Sequence, residues 1–482
     1  MVGAAVALDL FWLPLIPLFV LFTISSQLRF ILAFTLGLAV FLWTGERYQF
    51  PSDDVIGKAG IAEVEITSIS ASKTFFGSDV WRYEAVLSRF FDDQGTLVAK
   101  NIPVRILLPA DKSDRPLASH HYRLQGKIKI NDSGRYKLAP LSGAVWTPIQ
   151  PAWNLAEWRF MAKSWLRQQI QNAMNSYHVG SFLSGIATGE FDDSLLSNQL
   201  GRFGLQHLMA ISGLHFSILA SILGVGFSLI FSSRTSAVAV ILILSSYFIF
   251  LGASSSVMRA WISLTIALCG VLSGKRSFAM NSLGVAIAIT VLIDSLVIRQ
   301  VGFQFSFGIT AAILLLFGPC DAIFLKVFKK RSLSQAVLFD WIDQHVYCML
   351  SFLRQALALT LAVNLVALPM TLFYFQQFPL MGLVYNLFFP CMVSVSMFLL
   401  LMALLLAPLF PLLGNALHFL NGHYTQFLLN FTFNLPKAFD ANLYVADVSS
   451  TVVLCYLFVL FTAAICANHF SSRRDNTPSW MV

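Results

Sequence analysis

Two histidines, a serine and two glycines fall within residues 204–216, which read Gly-Leu-Gln-His-Leu-Met-Ala-Ile-Ser-Gly-Leu-His-Phe. His207 and His215 can carry protons, Ser212 can donate or attack, and Gly204 and Gly213 permit close backbone approach. They stand at the mouth of an apolar run that continues to Phe231. Polar groups in such a run are costly in lipid, so they face a bundle interior or a wet cavity. The same small residues also suit plain helix packing. Further on, Arg259, Gln304, Ser306, Asn364 and Asn386 are again polar side chains set in apolar stretches. A guanidinium there needs a polar path, a partner, or a route back to the interface.

Several chemistries can be weighed against these residues. Ala210-Ile-Ser-Gly resembles the Gly-x-Ser-Gly box of rhomboid intramembrane proteases, which pair the serine with a histidine on a later helix; His418 and His423 are the candidates. The box's first glycine is replaced by Ala210, and no carboxylate lies near to orient His215, so proteolysis is the weaker alternative. Neither His207/His215 nor His418/His423 has the i, i+4 spacing that joins two ligands on one helix face. His120 and His121 point to opposite faces if they lie in a strand. Gly270-Val-Leu-Ser-Gly-Lys-Arg is one residue short of a P-loop, lacks Ser or Thr after Lys275, and ends an apolar helix. The sequence therefore calls for no metal, cofactor or enzymatic activity, and any driving force must come from outside this chain.

The elements that hold these residues are membrane helices. The chain has 482 residues, 57% hydrophobic and 12% charged, with mean hydropathy +0.71. That composition is far from soluble norms and marks a polytopic α-helical membrane protein. The net charge of +8 is less telling, because cytoplasmic loops are basic anyway. Six cysteines all fall in the apolar half without CxxC spacing, which reads as buried thiols. Arg29 follows the first apolar run instead of preceding it, unlike a cleavable signal peptide.

In chain order, residues 1–48 read as a transmembrane hairpin with Arg29 at its cytoplasmic turn. Residues 49–150 change character: short alternating runs are separated by turn clusters, which argues an extracytoplasmic β domain of about five strands, compatible with an OB-like barrel. Its later half is basic. Lys100, Arg105, Lys112, Arg115, Arg123, Lys127, Lys129, Arg135 and Lys137 face Asp111, Asp114 and Asp132. Arg115, Tyr122, Arg123, Lys127, Lys129, Arg135, Tyr136 and Lys137 suit a groove that tracks a single strand, with the tyrosines as stacking platforms. A merely solvated basic face fits the same residues. Residues 151–200 hold Trp158, Met161, Trp165 and Leu166 at helical spacing with Arg159, Lys163 and Arg167 interleaved, an amphipathic helix for a membrane surface. Residues 201–470 form the main helical domain and 471–482 a cytoplasmic tail.

Apolar runs at 205–231, 236–252, 256–274, 279–297, 301–318, 349–374, 380–409, 412–432 and 450–468, with the hairpin, give about 11 spans. Alternating from an outside β domain puts Arg234, Lys275-Arg276, the Lys326–Arg331 cluster and Arg473-Arg474 all inside, with the N-terminus out and the C-terminus in. Residues 380–409, with Pro390, read either as one span, as two half-spans or as a re-entrant segment.

The string HLMAISGLHF closely resembles the signature of the ComEC/Rec2 family of competence membrane proteins, thought to pass single-stranded DNA across the inner membrane. Ser254-Ser-Ser-Val-Met-Arg-Ala-Trp-Ile is similar to the family's Arg-Ala helix segment, and Gly302-Phe-Gln-Phe-Ser-Phe to its Gly-Phe-Gln-Leu-Ser segment. Asn364 with Pro369, and Asn386 with Pro390, resemble its polar-then-proline helices, whereas Asp294-Ser295 departs from its Asp-Pro. The resemblance implies a single-stranded DNA channel in the bacterial inner membrane, with Arg259 as a buried functional arginine. It implies partners too: lipids, a separate DNA receptor and a cytoplasmic motor ATPase. Many relatives carry a metallo-β-lactamase-like domain after the helices; the sequence stops soon after its last apolar run, so a nuclease is also expected to be a separate protein. A permease for a smaller solute is the alternative use of the same polar positions.

Overall fold

The computed structural model of the chain describes residues 47–73, 79–110, 115–130, 135–191, 193–209, 211, 213–274, 278–331, 340–433 and 441–474. Residues 1–46 of the expected N-terminal hairpin and Ser212 lie outside them.

Alternating residues build the β domain from β1 (Ala59–Lys73), β2 (Asp79–Phe91), β3 (Leu97–Pro109), β4 (His120–Ile130), β5 (Tyr136–Pro140) and the short β6 (Thr147–Pro151). Along β1, Ala62, Val64 and Ile66 point inward, then the parity shifts and Ile69 takes the inner face. A register irregularity between Ile66 and Ser68 causes the shift, as a bulge must when side chains alternate with period two. The strands run in the order β1-β2-β3-β5-β4, and β4 pairs back onto β1, so the sheet closes on itself. Gly60 is pressed against β2: a Cβ there would sit 2.4 Å from the Phe91 carbonyl and 2.6 Å from the Phe90 ring. The enclosed core includes Tyr83, Leu87, Phe90, Ile102, Ile106, Leu124 and Ile128. β6 adds outside the ring, along β4.

Helix α1 (Ala156–Asn172) joins this domain to the helical one. Its basic side chains turn inward, not toward headgroups. Arg159 Nε donates to the Ile249 carbonyl at 2.7 Å, and Lys163 Nζ to the Leu251 carbonyl at 3.0 Å. Those carbonyls end α5 (Ser233–Leu251), where a helix leaves acceptors unsatisfied and its dipole favours cations. Glu190 accepts from Lys163 at 3.1 Å and from Arg167 at 2.8 Å. Trp158 and Trp165 are left outward, 51% and 63% exposed.

Next come α2 (Tyr177–Thr188), α3 (Ser194–Arg202), α4 (Gly213–Ser228), α5, α6 (Ser255–Ser273), α7 (Ala279–Ile293), α8 (Val301–Phe324), α9 (Trp341–Phe375), α10 (Gly382–Leu406), α11 (Pro411–Phe433) and α12 (Ser450–Arg474). Among the described residues six helices, α5, α6, α8, α9, α10 and α12, are long and apolar enough to cross a membrane. α4 and α7 are apolar but shorter. The chain is a multi-pass membrane protein with an N-terminal β-rich domain. α10 is one continuous helix through Pro390, as α8 is through Pro319 and α9 through Pro369. The run expected to begin at residue 205 becomes helical only at Gly213; Gln206–Leu208 is a separate 3₁₀ turn. A short β pair, Gln377–Pro379 with Asn442–Tyr444, ties the segment before α10 to that before α12.

The β domain rests on the helical one through the turn between α7 and α8. Arg47 donates to the Ile293 carbonyl at 3.4 Å, and the Tyr48 hydroxyl to Asp294 Oδ1 at 3.2 Å. The Arg299 guanidinium lies 4.8 Å from the Phe50 ring centroid.

Candidate functional site

Two of the polar positions, Arg259 and Ser306, meet, and Thr310 joins them. Arg259, one turn into α6, donates through Nε to Ser306 Oγ at 2.8 Å and through a terminal nitrogen to Thr310 Oγ1 at 2.6 Å, both on α8. Gly213, which opens α4, faces the same guanidinium: a Cβ there would lie 3.4 Å from its nitrogen. Arg259 therefore bridges α4, α6 and α8 and does not reach for the interface. Among the described residues no carboxylate lies within ion-pair distance of it. This contrasts with Arg354 on α9, which is paired to Asp321 on α8 at 2.8 Å. Hydroxyl dipoles hold the Arg259 charge in place without cancelling it.

Gln304 belongs to a neighbouring group. Its amide nitrogen donates to the Ile298 carbonyl at 2.9 Å, and its oxygen accepts from the Tyr374 hydroxyl of α9. Asn364 donates to the Thr360 carbonyl of its own helix at 2.8 Å and joins neither group. Asn386 keeps a buried Oδ1 without a hydrogen-bond partner. His215, in the first turn of α4, is 3% exposed. His207 instead lies in the preceding turn, its Nδ1 3.1 Å from the Gly204 carbonyl. Gly204 has φ +69°, and a Cβ there would meet Pro379 Cγ at 2.7 Å, so glycine is required. Ser212 lies outside the described residues.

On the β domain, register produces a feature absent from the linear reading. Arg105 pairs with Lys137 across β3 and β5, and Lys137 pairs with Lys129 across β5 and β4. Cross-strand partners share a face, so three basic side chains stand in a row. Glu84 takes up Arg105 at 2.8 Å at one end. Like charges directly opposite one another are destabilising, and an anion laid along the row relieves that cost. Arg123 is engaged by Glu63 at 2.7 Å, while Lys127 and Arg135 lie toward the same late strands. Arg115 is turned elsewhere: Glu157 of α1 holds it in a two-point ion pair, 3.2 Å on one side, and its guanidinium lies 4.6 Å from the Phe160 ring. Tyr122 is buried against Trp146, ring centroids 5.5 Å apart, and Tyr136 stacks on Phe50 at 6.2 Å. Burial raises the phenol pKa of both tyrosines, which keeps them neutral beside any polyanion.

The Competence protein family model matches residues 190–470, the helical domain from just after α2 to within α12. The chain belongs to that family. The signature, the Arg259 helix and the Gln304–Ser306 segment all lie within the matched region, in agreement with the ComEC/Rec2 resemblance of those strings. ComE operon protein 3 of Bacillus subtilis (strain 168) is 27% identical over 186 residues, covering 38% of this chain and 21% of that protein. No solved structure matches.

Sequence reasoning missed Thr310 and Tyr374. Thr310 was within reach, being one helical turn after Ser306 on the same face. Tyr374 had no local signal, because its partner Gln304 is 70 residues away.

Proposed function

We propose that this competence family member is an inner-membrane channel for uptake of single-stranded DNA. The observation that carries the reading is Arg259: a cation inside a helical bundle, oriented by Ser306 and Thr310, faced by a glycine, with no carboxylate to neutralise it among the described residues. A polyanion needs such compensation along its path, and lining groups of this kind set what a pore accepts. His207, His215, Gln304, Asn364 and Asn386 are the further polar positions assigned to that path.

The β domain, residues 49–150, is read as an OB-like barrel that captures the strand outside the membrane. The ring order β1-β2-β3-β5-β4-β1 with β3 and β5 parallel supports the fold. The Arg105–Lys137–Lys129 row supports the ligand. Residues 151–200 seat that domain on the membrane, with Trp158 and Trp165 at headgroup depth. The channel domain is residues 201–470. With the hairpin 1–48 it reaches about 11 spans, counting the short α4 and α7 and the polar α11. The N-terminus and β domain are outside, and the tail 471–482 is cytoplasmic. Arg234, Lys326, Lys329 and Lys330 belong to helix ends remote from the turn where the β domain rests, which supports this orientation. A DNA receptor and a motor ATPase are assigned as partners.

The test is uptake of end-labelled DNA into a compartment protected from external nuclease, in cells with and without the protein. Protected label should depend on the protein. Equal protection without it, or protein-dependent uptake of a small solute alone, overturns the reading.

A further inference from the structure

α11 is as long as the membrane-crossing helices but is not among the six that are apolar enough to cross, and its polar side chains do not join the Arg259 group. Asn421 and Thr425 are fully buried and meet Ser396 of α10: the Ser396 hydroxyl donates to Asn421 Oδ1 at 3.0 Å and lies 2.7 Å from Thr425 Oγ1. This leaves the Asn421 Nδ2 donor buried without an acceptor, and His418, 7% exposed, with a buried Nδ1 likewise unpartnered. Buried polar groups in that condition are costly and ask for a ligand or water.

A cavity of about 340 Å³ opens beside His418, between the start of α2 and the face of α11 that carries Asn415, Phe419 and His423, while Asn421 lies on the side of α11 toward Ser396. Asn175, Ser176, Asn415, His418, His423 and Gln426 line it, with Phe419 among its apolar walls. The volume is that of a small-molecule pocket. No Lys, Arg, Asp or Glu is among the lining residues, so a phosphate or a metal ion finds no counter-charge there. The primary amides of Asn175, Asn415 and Gln426 each offer a donor and an acceptor side by side, which is the pattern that reads a nucleobase edge. Phe419 and His423, ring centroids 4.2 Å apart and inclined at 47°, supply two aromatic faces, either of which a base can stack on.

We infer that this cavity is a base-binding station, taking a single unstacked nucleobase of the passing strand while phosphate compensation is left to Arg259. The inference rests on the strand-passage reading above. It gives α11 a function its composition otherwise lacks, since polar residues at membrane depth are retained where they line a path.

The test uses the full chain in lipid nanodiscs and a single-stranded oligonucleotide carrying photoreactive thiothymidine, with cross-linked peptides identified by mass spectrometry. Cross-links are expected in the β domain and in residues 173–179 and 415–426. In the double variant Asn415→Leu/Gln426→Leu the second set should fall about tenfold, the weight of one base contact. The β-domain set, unchanged, reports that the protein is folded and binding. If that variant fails to elute as a folded species, His423→Leu, at an exposed ring, repeats the measurement. Cross-links confined to the β domain, or undiminished in the variant, overturn the station while leaving DNA uptake standing. No cross-links anywhere, together with no protein-dependent uptake, would remove the channel reading itself.

Discussion

Replacing Arg259 by Gln separates its charge from its hydrogen bonding. The Gln amide still donates to Ser306 or Thr310, so the fold loses about one hydrogen bond, on the order of 1 kcal/mol. The electrostatic loss is larger. A guanidinium and a phosphate about 4 Å apart, at the effective dielectric of about 20 that suits protein sites, attract by about 4 kcal/mol. A barrier raised by that much slows passage by about a thousandfold. Arg259→Lys keeps the charge but loses the fork that spans two hydroxyls at 2.8 and 2.6 Å, so it should fall between wild type and Gln. The assay is nuclease-protected DNA uptake at matched protein level, with thermal unfolding of each purified variant as the control. If Arg259→Gln takes up DNA within a few-fold of wild type while unfolding normally, the charge has no part in passage and the reasoning is refuted.

Three further outcomes follow from other contacts. Lys129→Gln/Lys137→Gln, breaking the cross-strand basic row, should flatten the salt dependence of single-strand binding, lowering the log–log slope by about 1.4; an unchanged slope takes the row out of the interface. Gly204→Ala forces a side chain into a backbone with φ +69° and against Pro379, and should cost about 1–3 kcal/mol, read as a lower melting temperature. Glu157→Ala strips Arg115 of its ion pair and the Ala118 amide of its 3.2 Å acceptor, and should loosen the β domain from α1 by about 1.5–3 kcal/mol, visible as faster proteolysis between residues 151 and 156; an unaltered cleavage rate denies the pair that role.

The alternation of Ala62, Val64 and Ile66 and the unbroken apolar runs were legible because period and composition are local properties. So was the cost of Arg259 in an apolar run, which marked it before any partner was visible. The inward turn of Arg159 and Lys163 was not legible. Interleaved tryptophans and cations look the same whether the cations meet headgroups or carbonyls, and the choice depended on where the last turn of α5 falls. Arg115 read as a strand-binding cation on charge alone, yet Glu157, 42 residues on, already engages it.

Linear order thus determined membrane residence, the β domain and the identity of the polar side chains that lipid would exclude. Tertiary structure decided which of them meet. Arg259 shares its site with Gly213, Ser306 and Thr310, while Asn364 stays on its own helix and the polar face of α11 opens onto a separate cavity. The physical reason is range: hydropathy and spacing act over a turn or two of helix, whereas the pairing of hydroxyl with guanidinium is set by how helices far apart in the chain come to cross.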